Sequence, residues 1–132
     1  MIYFETSFAK LIWDDKTNCI ILTYAGFGEG EALREPLNKG LELIKLKKSN
    51  KWLSDLYNIR VINIEDQNWT SDHWTKAAFA LGLKYLAIVV PTNILGQMSL
   101  QRGVDRANFN ELGLETALFD NLESAKAWLN SK

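Results

Sequence analysis

The sequence predicts an α/β fold in which a mixed β-sheet is covered by helices, and three observations predict it. The chain has 132 residues, with 47% hydrophobic and 23% charged, which is typical of one globular domain and excludes a disordered or low-complexity protein. After the first three strands, strand and helix patterns alternate, which favours parallel strands joined by helical crossovers. The start of the chain predicts a hairpin, which adds antiparallel strands. We therefore expect a single domain over residues 1–132 with the order β-β-β-α-β-α-β-α-β-α.

The first three elements are predicted strands. Residues 8–13 and 19–25 are rich in β-branched and aromatic residues, and residues 14–18 between them are turn formers, so this region predicts a β-hairpin. Ile2–Glu5 has the composition of a further short strand beside the hairpin. An exposed edge strand at this end could pair across a two-fold axis, so a homodimer is compatible with the sequence.

A change of hydrophobic period then predicts the first helix, over about residues 29–48. Its apolar residues recur at steps of three and four, at Leu33, Leu37, Leu41 and Ile44. Pro36 lacks an amide donor, so either the regular helix begins near this residue or its first turn is bent.

Residues 51–56 predict the next strand, and residues 57–63 a connection to the second helix. Asn63 is a good helix N-cap, and the negative charges of Glu65 and Asp66 suit the first turn of a helix. Gly82 marks the end of this helix. Its apolar stripe consists of Trp74, Ala77, Ala78 and Leu81.

The run of apolar residues at 84–90 predicts a central strand that is covered on both faces. Thr92 is expected to cap a third helix that extends to about Arg106.

Residues 114–119 predict the last strand. Asp120 and Glu123 have the spacing of a capping box, which predicts the start of the final helix.

The numbers of charged residues, histidines and cysteines, together with the motifs that are missing, exclude several classes of function. Fifteen basic against 16 acidic residues give a net charge of −1, so nothing demands nucleic acid or an acidic membrane as a partner. His73 and Cys19 are the only residues of their types, which excludes a multi-histidine or multi-cysteine metal site, and we expect no cofactor. No nucleotide-binding or hydrolase motif, secretory signal or membrane-spanning segment is found, so we expect a cytoplasmic protein.

The ends of the parallel strands are the expected place for a binding site, because loops and helix N-termini gather there in open α/β sheets. The richest segment follows the strand at residues 51–56 and combines opposite charges with aromatic surface. The candidate ligand-binding or partner-binding residues are Asp55, Tyr57, Asn58, Arg60, Asp66, Trp69 and Thr92. The alternative is structural, since an aspartate at a strand end commonly caps a loop or pairs with an arginine.

Two further interpretations are weaker. Gly26, Gly28 and Gly30 follow a strand, but Glu31 stands where a dinucleotide loop requires its third glycine, so a tight turn is the better interpretation. An enzyme that uses Asp55, Asp66 and His73 as acid and base groups would need these side chains around one substrate position.

Four short segments resemble a known family. The segments 51–55, 64–69, 89–91 and 96–99, with the sequences KWLSD, IEDQNW, VVP and GQMS, are similar to those of small bacterial proteins of the SpoIIAA-like group, which is related to STAS and SEC14-like domains. The resemblance implies a β-α arrangement around a mixed sheet. It implies a non-enzymatic module that binds a regulatory protein partner or, as in a SEC14-like carrier, a small apolar ligand or lipid.

The sequence departs from STAS-type anti-sigma-factor antagonists at one functional position. The resemblance implies a phosphorylated serine in the loop after a strand, but no serine follows Asp55 in that loop. Ser54 falls inside the predicted strand, and Ser71 lies beyond the expected helix start. A phosphorylation switch is therefore not carried over to this chain.

Overall fold

Six strands form one mixed sheet in the computed structural model, which describes residues 1–132. The strands are β1 (Ile2–Glu5), β2 (Ala9–Asp14), β3 (Cys19–Gly26), β4 (Lys51–Ile59), β5 (Tyr85–Val89) and β6 (Glu115–Phe119). They lie side by side in sequence order. The first three pair antiparallel, and β3 to β6 pair parallel. The predicted mixed α/β fold is confirmed.

The helices alternate with the strands in the predicted order. They are α1 (Glu31–Lys47), α2 (Ile64–Trp69), α3 (Thr75–Ala80), α4 (Ile94–Ala107), α5 (Phe109–Leu112) and α6 (Leu122–Asn130). A π-helical segment, Thr70–Trp74, joins α2 directly to α3. Together these three pieces correspond to the predicted second helix. Asn63 is its N-cap, as expected, and its Oδ1 accepts a hydrogen bond from the Asp66 amide at 2.8 Å.

The two faces of the sheet are covered unequally. The inner face packs against α1 to α5 and contributes to a core of 20 buried residues, in which Trp52 and Trp74 meet with ring centroids 4.8 Å apart. The outer face is covered by α6 alone, over β4, β5 and β6. Its smaller core consists of Cys19, Ile21, Leu53, Ala87, Val89, Ala125 and Leu129.

The predicted central strand is confirmed. β5 lies between β4 and β6, and its residues from Leu86 to Val89 are all buried. Leu86 and Ile88 belong to the inner core, whereas Ala87 and Val89 belong to the outer core. The run at residues 84–90 does not alternate between apolar and polar side chains because both faces of this strand are buried.

A row of polar residues crosses the half of the outer face that α6 leaves open. Glu5 pairs with Lys10, Lys10 with Thr23, and Thr23 with Asp55 in the register of the first four strands. Glu5 and Lys10 are exposed, and Thr23 and Asp55 are half-buried. We call these four residues the outer row.

Strand β4 is longer than the sequence predicts. It continues through residues 57–59, which were expected to form a connection. Asn58 and Ile59 pair with Ala25 and Gly26 after a register shift, so the end of β3 extends the ladder. The polar character of Tyr57 and Asn58 concealed this extension, because both residues are exposed at the end of the sheet.

Two predicted caps are wrong by one residue. Helix α4 is capped by Asn93, whose Oδ1 accepts from the Gly96 amide at 2.6 Å, whereas the Thr92 hydroxyl donates to the Tyr57 carbonyl. Helix α6 is capped by Asn121 rather than by Asp120. Adjacent residues can cap at both places, Thr92 or Asn93 before α4 and Asp120 or Asn121 before α6, so residue type alone did not decide the position.

The glycine-rich turn between β3 and α1 is confirmed. Gly26 and Gly30 adopt φ angles of 89° and 59°, in the left-handed region that glycine enters without steric cost. Helix α1 then begins at Glu31, five residues before Pro36. None of the helices combines the length and the apolar composition that crossing a membrane would require.

Candidate functional site

Five of the seven candidate residues lie together at the carboxyl end of β4. The Tyr57 amide donates to Asp55 Oδ1 at 3.2 Å, and the Tyr57 carbonyl accepts from the amide and hydroxyl of Thr92 at 3.3 and 3.4 Å. Asn58 and Arg60 are exposed next to them. We call Asp55, Tyr57, Asn58, Arg60 and Thr92 the strand-end surface.

Asp66 lies apart from the strand-end surface, and its side chain bonds to residues at the start of α1. Its side chain is only 1% exposed and accepts hydrogen bonds from the Gly30 amide and from Arg34 Nε, both at 2.9 Å. The carboxylate therefore binds the N-terminus of α1, where a negative charge is favoured by the helix dipole. Asp66 therefore has a structural role, in which it pairs with an arginine and holds the start of α1.

Trp69 is also separated from Asp55. It is half-buried against the inner core, and the Arg34 guanidinium lies 5.2 Å from the centre of its ring. Asp55 instead stands in register with Val89, which belongs to the outer core. The single surface expected from Asp55 to Trp69 is thus divided between the two faces of the sheet.

The same geometry separates the three acid and base groups. Asp55 lies on the outer face of the sheet. Asp66, in α2, is buried against the start of α1, and His73 is exposed on the π-helical segment at the inner face. They do not surround one substrate position. No three His, Cys, Asp or Glu side chains form a cluster that could hold a metal ion.

The inner face holds a partly enclosed cavity of about 100 Å³ between the sheet and the helices. Its floor is formed by Tyr24, Ser54, Leu56, Leu86 and Ile88. Its walls are formed by Leu33, Leu37, Ile62, Gln67, Thr70, Ser71, Trp74 and Thr75, and its roof by Ser99, Leu100, Gly103, Val104 and Phe109. We call this space the inner cavity.

The inner cavity accounts for an unusual feature of Ser54. This residue lies in the middle of β4, between β3 and β5 and under the helices, and yet it is half-buried rather than fully buried. Its position on the cavity floor explains the remaining exposure. The Ser54 hydroxyl oxygen accepts a hydrogen bond from Trp52 Nε1 at 2.8 Å.

The lining of the inner cavity carries no charge. It contains no Asp, Glu, Lys, Arg or His, and its one titratable side chain is Tyr24. Burial, and secondarily the negative charge of Asp66, raises the pKa of the Tyr24 hydroxyl far above its usual range. Tyr24 therefore stays protonated and donates to the Leu33 carbonyl at 2.6 Å.

The π-helical segment forms part of the cavity wall. The amide of Thr75 bonds the Thr70 carbonyl five residues back, and the Thr75 hydroxyl donates to the same oxygen at 3.0 Å. The Ser71 hydroxyl donates to the Gly103 carbonyl at 2.9 Å, which ties this wall to the roof. Single π-helical turns inside a helix occur frequently at functional sites.

Sequence reasoning missed the inner cavity. Its lining comes from three strands, helices α1 to α5, the π-helical segment and a loop, so no local motif could reveal it. One signal was present, since Thr70, Ser71 and Thr75 place hydroxyl groups beside Trp74 on the face of a helix that was predicted to be apolar.

Together these features define a mixed α/β protein with an uncharged internal cavity and a separate polar surface at its strand ends. Neither the comparison with protein-family models nor the search of curated proteins finds a match to this chain.

Proposed function

We propose that this protein is a binding module that holds a small, uncharged and largely apolar molecule in the inner cavity. The observation that carries the proposal is the chemistry of the lining, which has 11 hydrophobic residues among 18 and no charged side chain. Ligand sites are typically concave and mainly apolar, with a few polar groups that orient the ligand.

The volume limits the size of the ligand. An engineered apolar cavity of about 150 Å³ stays dry and binds benzene, and the inner cavity is roughly two thirds of that size at about 100 Å³. A single ring would fit after small shifts of Leu100 and Val104 in the roof. The volume favours a small molecule over a lipid with a long acyl chain.

We also propose that the chain is a SpoIIAA-like protein. The mixed sheet and the alternating order of strands and helices support this proposal, since the resemblance implies the same architecture.

Filling the cavity tests the ligand-binding proposal. We expect toluene to shift the amide signals of Leu86 and Leu100 saturably in ¹H–¹⁵N correlation spectra. Val104→Phe places a larger side chain in the roof, and a steric cost of about 1–3 kcal/mol would weaken toluene binding by roughly 5- to 150-fold. Native mass spectrometry of the protein from expressing cells would then identify a bound molecule.

Val61→Phe is the matched control, because Val61 is also a half-buried valine but does not line the cavity. This variant should bind toluene as the wild type does. Equal binding by both variants, or no saturable shift in the wild type, would contradict the proposal.

A second candidate function is recognition of a regulatory protein at the strand-end surface. The observation that favours it is a group of exposed apolar side chains beside that surface. Tyr57 is 45% exposed, and Ile94 and Leu95, which follow Thr92 at the start of α4, are 73% and 67% exposed. Exposed apolar groups beside polar residues are typical of protein-binding surfaces.

A pair of leucine variants tests this second function. Leu95→Asp is expected to abolish recovery of a partner protein in a pull-down from a native lysate, because binding would then bury an unpaired carboxylate in the apolar contact. Leu46→Asp is the control, since Leu46 is 65% exposed but lies on α1. A partner retained by Leu95→Asp, or lost equally with Leu46→Asp, would contradict the use of this surface.

A further inference from the structure

Most hydroxyl groups that line the inner cavity donate a hydrogen bond to a backbone carbonyl. Tyr24 donates to the Leu33 carbonyl, Ser71 to the Gly103 carbonyl, and Thr75 to the Thr70 carbonyl. Thr70 and Ser99 likewise donate to carbonyls within their own helices. A hydroxyl group that donates its proton to the backbone can only accept a further hydrogen bond, so these groups act as acceptors toward a ligand. The Ser99 oxygen already accepts from the Ile62 amide at 3.4 Å, which leaves Tyr24, Thr70, Ser71 and Thr75 as the free acceptors.

Gln67 adds to the acceptor character. Its amide nitrogen donates to the Ile62 carbonyl at 2.6 Å, and the side chain is 5% exposed. Its carbonyl oxygen accepts no hydrogen bond from the protein and offers two lone pairs, and its second amide N–H is a free donor.

Ser54 is the exception. Its oxygen accepts from Trp52 Nε1, so its proton is not used in that bond, and no other protein atom accepts it. The cavity floor therefore offers one hydroxyl donor, while the walls offer several acceptors. A ligand hydroxyl group fits this arrangement, because it can accept one hydrogen bond and donate another.

Charged ligands do not fit. A carboxylate needs donors, and the cavity offers only the Ser54 hydroxyl and the second amide N–H of Gln67, with no cation to compensate the negative charge. An ammonium group would meet acceptors but no carboxylate in the lining, so its desolvation would remain uncompensated.

We propose that the inner cavity selects a neutral small molecule with one hydroxyl group on an apolar body, a phenol or a small alcohol, which accepts from Ser54 and donates to a wall oxygen. This inference rests on the proposed ligand-binding function and names the class of its ligand. The hydroxyl group fixes the orientation of the molecule, and the apolar residues of the floor and roof enclose the remainder.

Three probes of the same ring size test the proposal: toluene, phenol and benzoate, each titrated into the full chain and followed by ¹H–¹⁵N spectra. One net hydrogen bond contributes on the order of 1 kcal/mol and each 1.4 kcal/mol is tenfold in affinity, so two bonds give phenol an advantage of roughly thirtyfold over toluene. Benzoate should show no saturable binding. Ser54→Ala should bind toluene normally and lose most of the phenol advantage, whereas Ser124→Ala, at an exposed serine on α6, should keep it.

The outcomes separate this inference from the function on which it rests. Toluene binding as tight as phenol binding, or benzoate binding comparable to either, would overturn the hydroxyl selectivity and leave the cavity as an apolar site. No binding of any probe would overturn both. The wild-type comparison needs no variant, so it decides the proposal even where the loss of the Trp52 partner prevents Ser54→Ala from folding.

Discussion

Replacing Gly40 by alanine is expected to destabilise the protein by about 1–3 kcal/mol, although alanine is the better helix former. A Cβ atom at Gly40, inside α1, would overlap the indole ring of Trp52. Trp52 is fully buried, and its indole donates to Ser54, so the ring cannot move away without breaking that bond. The free energy of unfolding, from urea denaturation, measures the effect.

Gly103 supplies the matched control for this first variant. It also lies inside a helix, but a Cβ atom there would meet only Ser71 Oγ, at 3.9 Å. Gly103→Ala should therefore stabilise the protein by about 0.5–1 kcal/mol through helix propensity. The close contact between α1 and the sheet would be refuted if the two glycine variants changed stability in the same direction.

Removing the buried carboxylate is the second large effect. Asp66→Ala is expected to lower the free energy of unfolding by about 1–3 kcal/mol, because the amide of Gly30 and the Nε of Arg34 lose their acceptor. Arg34 is 30% exposed and can turn to solvent, which keeps the loss below that of a fully buried pair. Urea denaturation again provides the measurement.

Asp72 is the control for the carboxylate variant. It also pairs with an arginine, Arg106, at 2.7 Å, but both side chains are well exposed. Solvent screens such a pair, so Asp72→Ala should change stability little. Similar losses for the two aspartate variants would show that the contact between Asp66 and α1 is not the source of the stability.

The sequence allowed the sheet and its helices to be predicted because hydrophobic period and turn residues are local signals. The apolar run of β5 and the amphipathic pattern of α1 are complete within their own segments. The caps of α4 and α6 were misplaced for an equally local reason, since adjacent polar residues such as Thr92 and Asn93 can both cap a helix.

The candidate site was harder to predict because its geometry depends on distant residues. Asp66 contacts Gly30 and Arg34, which are 36 and 32 positions away in the chain. Nothing in the segment around Asp66 indicates that this partner exists. The division of Asp55 and Trp69 between two faces of the sheet likewise depends on strand register, which becomes known only when β3, β4 and β5 are paired.

The outer row has a consequence for solubility. A sheet that is covered by one short helix on one side leaves part of that side in contact with water, and bare apolar strands are prone to aggregation. Here the uncovered strands present an alternation of charge, with Glu5 beside Lys10 and Asp55 beyond Thr23. These residues hydrate one row of this open half, next to the apolar pair of Ile2 and Ile12, and they oppose the packing of another molecule on that row. Charged side chains thus take the place of a covering helix on part of the outer face.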